Sequence, residues 1–217
     1  MNEFDTLKKD FVTALRIIDH EKLSDAFAHL SARSKQRHEM LFMPRKSPAL
    51  VKSDELFLVD FEKAVPQSSI HQAIYKARDD VKAIFHFHSP AVILLSVLGQ
   101  TIRPMHNYSA VFYAGVPIYV GIGQIESPAR AGEMAKLLGN ARALILRGHG
   151  AVVVGDSIRQ VCMLALFLEE SARLQTEAMR LGDPMFIDGD DAERIAKRTF
   201  KASSVERAWE HFAAKCG

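Results

Sequence analysis

The run Val81-Lys82-Ala83-Ile84-Phe85-His86-Phe87-His88-Ser89-Pro90 constrains this chain more than any other stretch. From Val81 to His88 it is apolar, β-branched and aromatic, which reads as a buried strand of an α/β sheet. Side chains alternate across a strand, so His86 and His88 share one face while Phe85 and Phe87 take the other. Ser89 then supplies an N-cap and Pro90 a first helical residue. The imidazoles thus stand at the carboxyl end of a strand, where α/β proteins place their chemistry. Each can offer a nitrogen to one divalent ion at a bond length of about 2.0–2.1 Å. Taken alone, the pair is a weak signal, more often read as core histidines bonded to backbone.

A third nitrogen would decide for metal, and Arg147-Gly148-His149-Gly150 supplies one directly after the apolar strand Ala143-Leu144-Ile145-Leu146. Glycine on both sides lets the backbone turn sharply and approach an ion without Cβ clashes. The competing reading of His149 is a turn histidine with an exposed ring.

At 217 residues and 48% hydrophobic content the chain can bury a full core, and no linker composition divides it. The expectation is one domain over residues 1–217 with a helical C-terminal tail. A net charge of +2 gives no case for a nucleic-acid or membrane partner. No signal peptide is expected, since Glu3, Asp5, Lys8, Lys9, Asp10 and Arg16 interrupt the first turns. The longest apolar runs fall far below the roughly 18 residues of a membrane span. Cys162 and Cys216 form no framework, so a reducing cytoplasm is the simplest setting.

Apolar periodicity predicts helices over 3–19, from Ser68 or Ser69 to Arg78, over 89–98, from Ser127 to Gly139, over 157–181 with a Glu169 to Arg173 pair outward, and over 190–200 and 203–215. Strands are expected at Asp25–Ser34 and His38–Met43, joined by a turn at Lys35-Gln36-Arg37, and at Leu56–Asp60, Val116–Ile122, Ala141–Leu146 and Ala151–Val154. Cations gather at Arg33, Arg37, Arg45, Lys46 and Lys52; a solvated face accounts for Arg37 and Lys52. Pro44 and Pro48 stiffen the loop that holds Arg45 and Lys46. His71 opens a helix and reads as structural.

The set His86-Phe87-His88-Ser89-Pro90, the glycine-flanked His149 and the helix containing Leu168-Glu169-Glu170-Ser171-Ala172-Arg173 resembles the class II aldolase and adducin-head family. Ile70-His71-Gln72-Ala73-Ile74-Tyr75 and Arg78-Asp79-Asp80-Val81 match its pattern too, and the likeness runs from about Asp25 to Gly182. The resemblance implies a three-layer α/β/α sandwich with a central, mainly antiparallel sheet. It also implies a homotetramer with sites near subunit interfaces, and one divalent metal ion per subunit held by His86, His88 and His149. Zn, Mn or Fe all suit three imidazoles, as do Ni and Co. Adducin heads, which are non-catalytic scaffolds, lack the full ligand set that stands here.

The departures from the family narrow the chemistry. Where sugar-phosphate members carry a glycine-asparagine pair, a threonine-glycine pair and paired serines around the phosphate, this chain has Ala28-His29, Arg45-Lys46 and Val65-Pro66. A phosphate cradle of small residues is therefore not expected. His29 and Arg45 instead suit a small anionic substrate, arginine matching a carboxylate bidentately. The segment Ser47-Pro48-Ala49-Leu50-Val51 resembles the branch of decarboxylases acting on hydroxylated aromatic acids. The family's acid/base glutamate falls at Gln67, which cannot take a proton, and Glu62 reaches the site only in a shifted alignment. The expectation is a metal-dependent carbon–carbon lyase, first a decarboxylase of a small hydroxy or oxo acid, with His29, Ser31, Arg45 and Ser47 binding substrate. Gln67 orients the reactants, and His106 or Tyr108, whose alternative role is loop packing, or a neighbouring subunit's tail donates a proton. The rivals are an aldolase, a scaffold with a structural metal, and a non-haem iron oxygenase.

Overall fold

The computed structural model describes residues 3–35, 38–121 and 127–216. Among the described residues seven strands form one sheet: β1 (His29–Arg33), β2 (Glu39–Phe42), β3 (Phe57–Asp60), β4 (Ala83–Phe87), β5 (Ile118–Tyr119), β6 (Ala143–Leu146) and β7 (Gly150–Gly155). Their order is β3-β2-β1-β4-β7-β6-β5, and every neighbouring pair is antiparallel except β5 with β6. The helices are α1 (Glu3–His20), α2 (Ser69–Ala77), α3 (Pro90–Val97), α4 (Pro128–Leu138), α5 (Ile158–Leu181), α6 (Gly189–Thr199) and α7 (Ala202–Lys215).

The alternation of side chains along the strands builds the three layers. Leu30, Ala32, Phe85, Phe87, Ile145 and Val153 face one way, onto Phe11 and Leu15 of α1, Leu164 and Leu168 of α5, and Trp209 of α7. Ile84, Leu144, Val152 and Val154 face the other way, onto Ile70 and Ile74 of α2 and Met134 and Leu138 of α4. Each such apolar side chain taken from water contributes about 1.5–3 kcal/mol, so the two cores fix which face every strand residue shows. The α/β/α sandwich with a mainly antiparallel sheet expected from the sequence is the fold observed. Among the described residues no helix is long and apolar enough to cross a membrane.

Four expectations are corrected here. Residues 25–28 are a turn rather than strand, because the Asp25 carboxylate accepts from the Phe27 N–H at 2.9 Å and folds the chain back before β1. The fifth strand shrinks to Ile118–Tyr119, and its expected end at Ile122 lies outside the described residues, as do Gln36 and Arg37 of the expected turn. Glu169 does not reach outward to Arg173; its carboxylate accepts from the Ser89 hydroxyl and from Ala91 N–H, at the start of α3. Arg33 is structural, donating to the carbonyls of Tyr75, Arg78 and Val81 and tying α2 to the sheet.

Candidate metal centre and adjoining cleft

Register explains why three distant histidines meet. Phe87 pairs with Ala151 across β4 and β7, so the residues just past each strand end, His88 on one and His149 on the other, lie side by side. The turn between β6 and β7 depends on its glycines. Gly148 has φ +67°, a left-handed conformation, and a Cβ on Gly150 would stand 2.3 Å from the Phe87 carbonyl oxygen. The resulting ring centroids are 5.0 Å apart for His86 and His88, 5.1 Å for His86 and His149, and 4.9 Å for His88 and His149. One nitrogen from each lies within 4.8 Å of the other two.

The hydrogen bonds behind two of the rings fix which nitrogen His86 and His88 present. His86 Nδ1 donates to the Ala151 carbonyl at 3.1 Å, and His88 Nδ1 donates to the Asp25 carboxylate at 2.9 Å. Both Nε2 atoms are then bare, and they face one another at 3.1 Å. Two lone pairs at that distance repel unless a cation neutralises them. Two bonds of about 2.0–2.1 Å at a tetrahedral angle separate their nitrogens by about 3.3–3.4 Å. The spacing of His86 and His88 therefore suits two bonds to one divalent ion, and the His149 nitrogen stands within 4.8 Å to join them. Burial holds the His86 imidazole well below its ordinary 6.5, with the charges of His29, His88 and His149 acting in the same direction, so the ring is neutral and able to ligate at neutral pH.

Asp25 and Ser24 were not singled out by the sequence, yet both hold His88: Asp25 through the ring and Ser24 by accepting from its backbone N–H at 2.9 Å. A carboxylate behind a ligand histidine orients the ring and raises its basicity. The available signal was the Ser-Asp pair itself, which favours turns over strands.

Beyond Asp25 the same turn opens into a cleft of about 260 Å³ lined by Ala26, Phe27, Ala28, Arg45, Lys46, Ser47 and Gln67. Three sequence-expected residues, Arg45, Ser47 and Gln67, thus meet in one place. Arg16 of α1 anchors the loop of Arg45 and Ser47 by donating to the Pro48 and Val51 carbonyls at 3.2 and 3.0 Å. Lys46 is held by Glu55 at 2.9 Å, while Arg45 is exposed at the cleft. Gln67 has φ +68°, a conformation that is costly for a residue with a Cβ. Phe27 is 61% exposed, and none of the lining residues is acidic. Glu62 points elsewhere, pairing with Lys76 at 2.9 Å.

Three further expectations do not fit the cleft. Ser31 is 0% exposed and its hydroxyl bonds His71 Nδ1 at 2.6 Å and the Tyr75 hydroxyl at 2.9 Å, so it is an interior link and not a substrate contact. His106 and Tyr108 are not among the lining residues; Tyr108 stacks on Phe167 at 4.1 Å, and His106 Nδ1 accepts from Tyr108 N–H at 3.4 Å. His29 does stand at the centre, its ring 4.7 Å from that of His86. It is nearly buried, at 7% exposure.

A family model described as the Class II Aldolase and Adducin N-terminal domain matches residues 9–176. The chain belongs to this family. Within the class II aldolase family it is 27% identical over 203 residues to the decarboxylase tropJ of Talaromyces stipitatus, covering 80% of this chain and 76% of that one. It is 30% identical over 129 residues to the 3,4-dihydroxyphthalate decarboxylase of Rhodococcus jostii, covering 57% of this chain and 53% of the relative, about half its length. Among solved structures, the L-fuculose 1-phosphate aldolase from Glaciozyma antarctica PI12 superposes with a TM-score of 0.82 at 26% identity, over 97% of this chain and 88% of that one.

Proposed function

We propose that this chain is a divalent-metal-dependent carbon–carbon lyase that decarboxylates a small hydroxy or oxo acid, hydroxyaromatic acids included. The observation that carries the reading is the meeting of two bare, facing Nε2 atoms and a third imidazole beside a cleft that, among the described residues, offers a guanidinium, an ammonium, a hydroxyl and an amide but no carboxylate. Similarity to two decarboxylases supports it.

His86, His88 and His149 would hold the ion, Zn, Mn or Fe, with Asp25 and the Ala151 carbonyl setting two of the rings. When bound, such an ion polarises a substrate oxygen next to the leaving carboxylate and stabilises negative charge developing there. Arg45 grips a carboxylate of the substrate through paired N–H donors. Ser47 and Gln67 orient the acid by hydrogen bonds, and Phe27 covers its apolar face. The bond from carbon to the carboxylate breaks, CO2 departs, and the carbon that keeps the electron pair takes up a proton. Delivery of that proton belongs to the subunit boundary of a homotetramer, where His106, Tyr108 or the α6–α7 tail of a neighbouring chain closes the cleft. Residues 1–217 act as one unit in this scheme.

The likeness to a fuculose phosphate aldolase favours aldol cleavage as a second reading. Aldol cleavage needs a base to deprotonate a hydroxyl, and Gln67 cannot serve. Metal-loaded protein supplied with hydroxyaromatic and oxo acids should release CO2. Aldehyde release without CO2 rejects decarboxylation, oxygen-dependent product formation points to an iron oxygenase, and loss of turnover in a His86→Ala variant that keeps its fold and assembly rules out a scaffold with a structural metal.

A further inference from the structure

A line of four polar side chains runs from the histidine cluster into the interior. His29 Nδ1 and His71 Nε2 are 2.7 Å apart, His71 Nδ1 and Ser31 Oγ 2.6 Å, and Ser31 Oγ and the Tyr75 hydroxyl 2.9 Å. Register places it: His29 pairs with His86 and Ser31 with Ile84, so both point to the sheet face covered by α2, where His71 and Tyr75 stand one turn apart. His71 and Ser31 are fully buried and Tyr75 nearly so.

The line has a direction. Ser31 and Tyr75 each carry one hydroxyl proton that needs an acceptor in a place without water. If Tyr75 donates to Ser31 and Ser31 donates to His71 Nδ1, then His71 carries its proton on Nε2 and donates it to His29 Nδ1. Every proton then has an acceptor. If His71 instead donates from Nδ1 to Ser31, either the serine proton or the phenol proton is stranded. The Arg33 guanidinium 4.7 Å over the Tyr75 ring offers only donors. With its Nδ1 accepting from His71, a neutral His29 ring carries its one proton on Nε2.

We infer that Ser31, backed by Tyr75 and acting through His71, locks His29 in the Nε2–H tautomer, making it a hydrogen-bond donor to an acidic guest beside the three-histidine centre and excluding it as a fourth ligand. Among the described residues nothing bonds that Nε2, and it is not among their sealed, unpartnered atoms. A bare nitrogen on a ring touching His86 would compete for the ion. A protonated one leaves the centre open for substrate and adds a donor where negative charge collects. His71, Ser31 and Tyr75 are positioning residues in this scheme. The substrate-facing part of the inference rests on the proposed active site, whereas the tautomer does not.

The test is long-range proton–nitrogen correlation spectroscopy on full-length, zinc-loaded protein with 15N-labelled histidine, assigned with His29→Gln and His71→Gln. Wild type should show His29 and His71 protonated at Nε2 and bare at Nδ1. Ser31→Ala should convert the His29 signals to a mixture of tautomers, and Ser31→Thr, which keeps the hydroxyl, should restore them. A bare His29 Nε2 in wild type overturns the inference even if no variant folds, as does a Ser31→Ala spectrum unchanged at His29. Added salicylate should shift the His29 Nε2–H proton; salicylate that leaves it unmoved, or does not bind, removes the donor role. Zinc absent from wild-type protein defeats the metal-centre reading while the tautomer result stands on its own.

Discussion

Asp25 decides how firmly His88 can meet an ion, because its carboxylate holds the ring from behind at 2.9 Å. Asp25→Ala should weaken divalent-metal affinity about 10–100-fold, read by competition with a chromophoric chelator, and Asp25→Asn should lose less because the amide oxygen still accepts from Nδ1. Gln67 makes a second residue-scale test. Its left-handed backbone costs about 1–2 kcal/mol relative to glycine, so Gln67→Gly should raise thermal stability by about that amount while lowering turnover. Equal turnover would mean that the side chain does nothing in the cleft. At this scale the ligand candidates were legible because strand alternation and flanking glycines are local signals. Asp25 was not, because its bond to His88 is made by residues 63 apart in the chain. Ser31 was misplaced for a related reason: alternation tells which face a residue takes, and only the docking of α2 tells what covers that face.

At the scale of elements, the ends of β4 and β7 and the start of α3 form one rigid corner. Gly150→Ala would drive a methyl into the Phe87 carbonyl, between two candidate ligands. A loss of about 2–3 kcal/mol in urea unfolding is expected, together with loss of metal. Ser89 caps α3 by accepting from Val92 N–H at 3.1 Å and in turn donates to Glu169. Helix limits matched the sequence reading to within a residue or two because caps and apolar periodicity are written locally. The turn at 25–28 and the short edge strand β5 were not, since aromatic and β-branched residues carry strand propensity whether or not a partner strand extends beside them.

At the scale of the molecule, the mainly antiparallel sheet brings β1, β4 and β7 together at its centre and collects the imidazoles of His29 on β1, His86 on β4, and His88 and His149 just beyond the ends of β4 and β7. The folded state keeps His29, His71 and His86 neutral by burial, holding all three below the 6.5 of an unfolded chain. Above that value both states are neutral and the stability they allow is complete. Below it the unfolded chain takes up protons that the folded chain refuses, so metal-free protein should lose stability steadily as pH falls from 6.5 towards and through the depressed folded values. Urea midpoints taken at stepped pH check this, and a flat profile would contradict it. The elements were legible at this scale because apolar runs of strand and helix length alternate along the chain, whereas the layering and the antiparallel sheet were implied by the family resemblance. The cleft was legible only in part, since its walls come from loops whose meeting depends on the finished sheet.

The most direct measurement is the metal content and affinity of the purified protein, wild type beside His86→Ala, His88→Ala and His149→Ala, each checked for native fold by circular dichroism. The account predicts one divalent ion per chain in wild type, with affinity collapsing in all three folded variants. Wild-type protein that takes no ion, or variants that keep theirs, would contradict it.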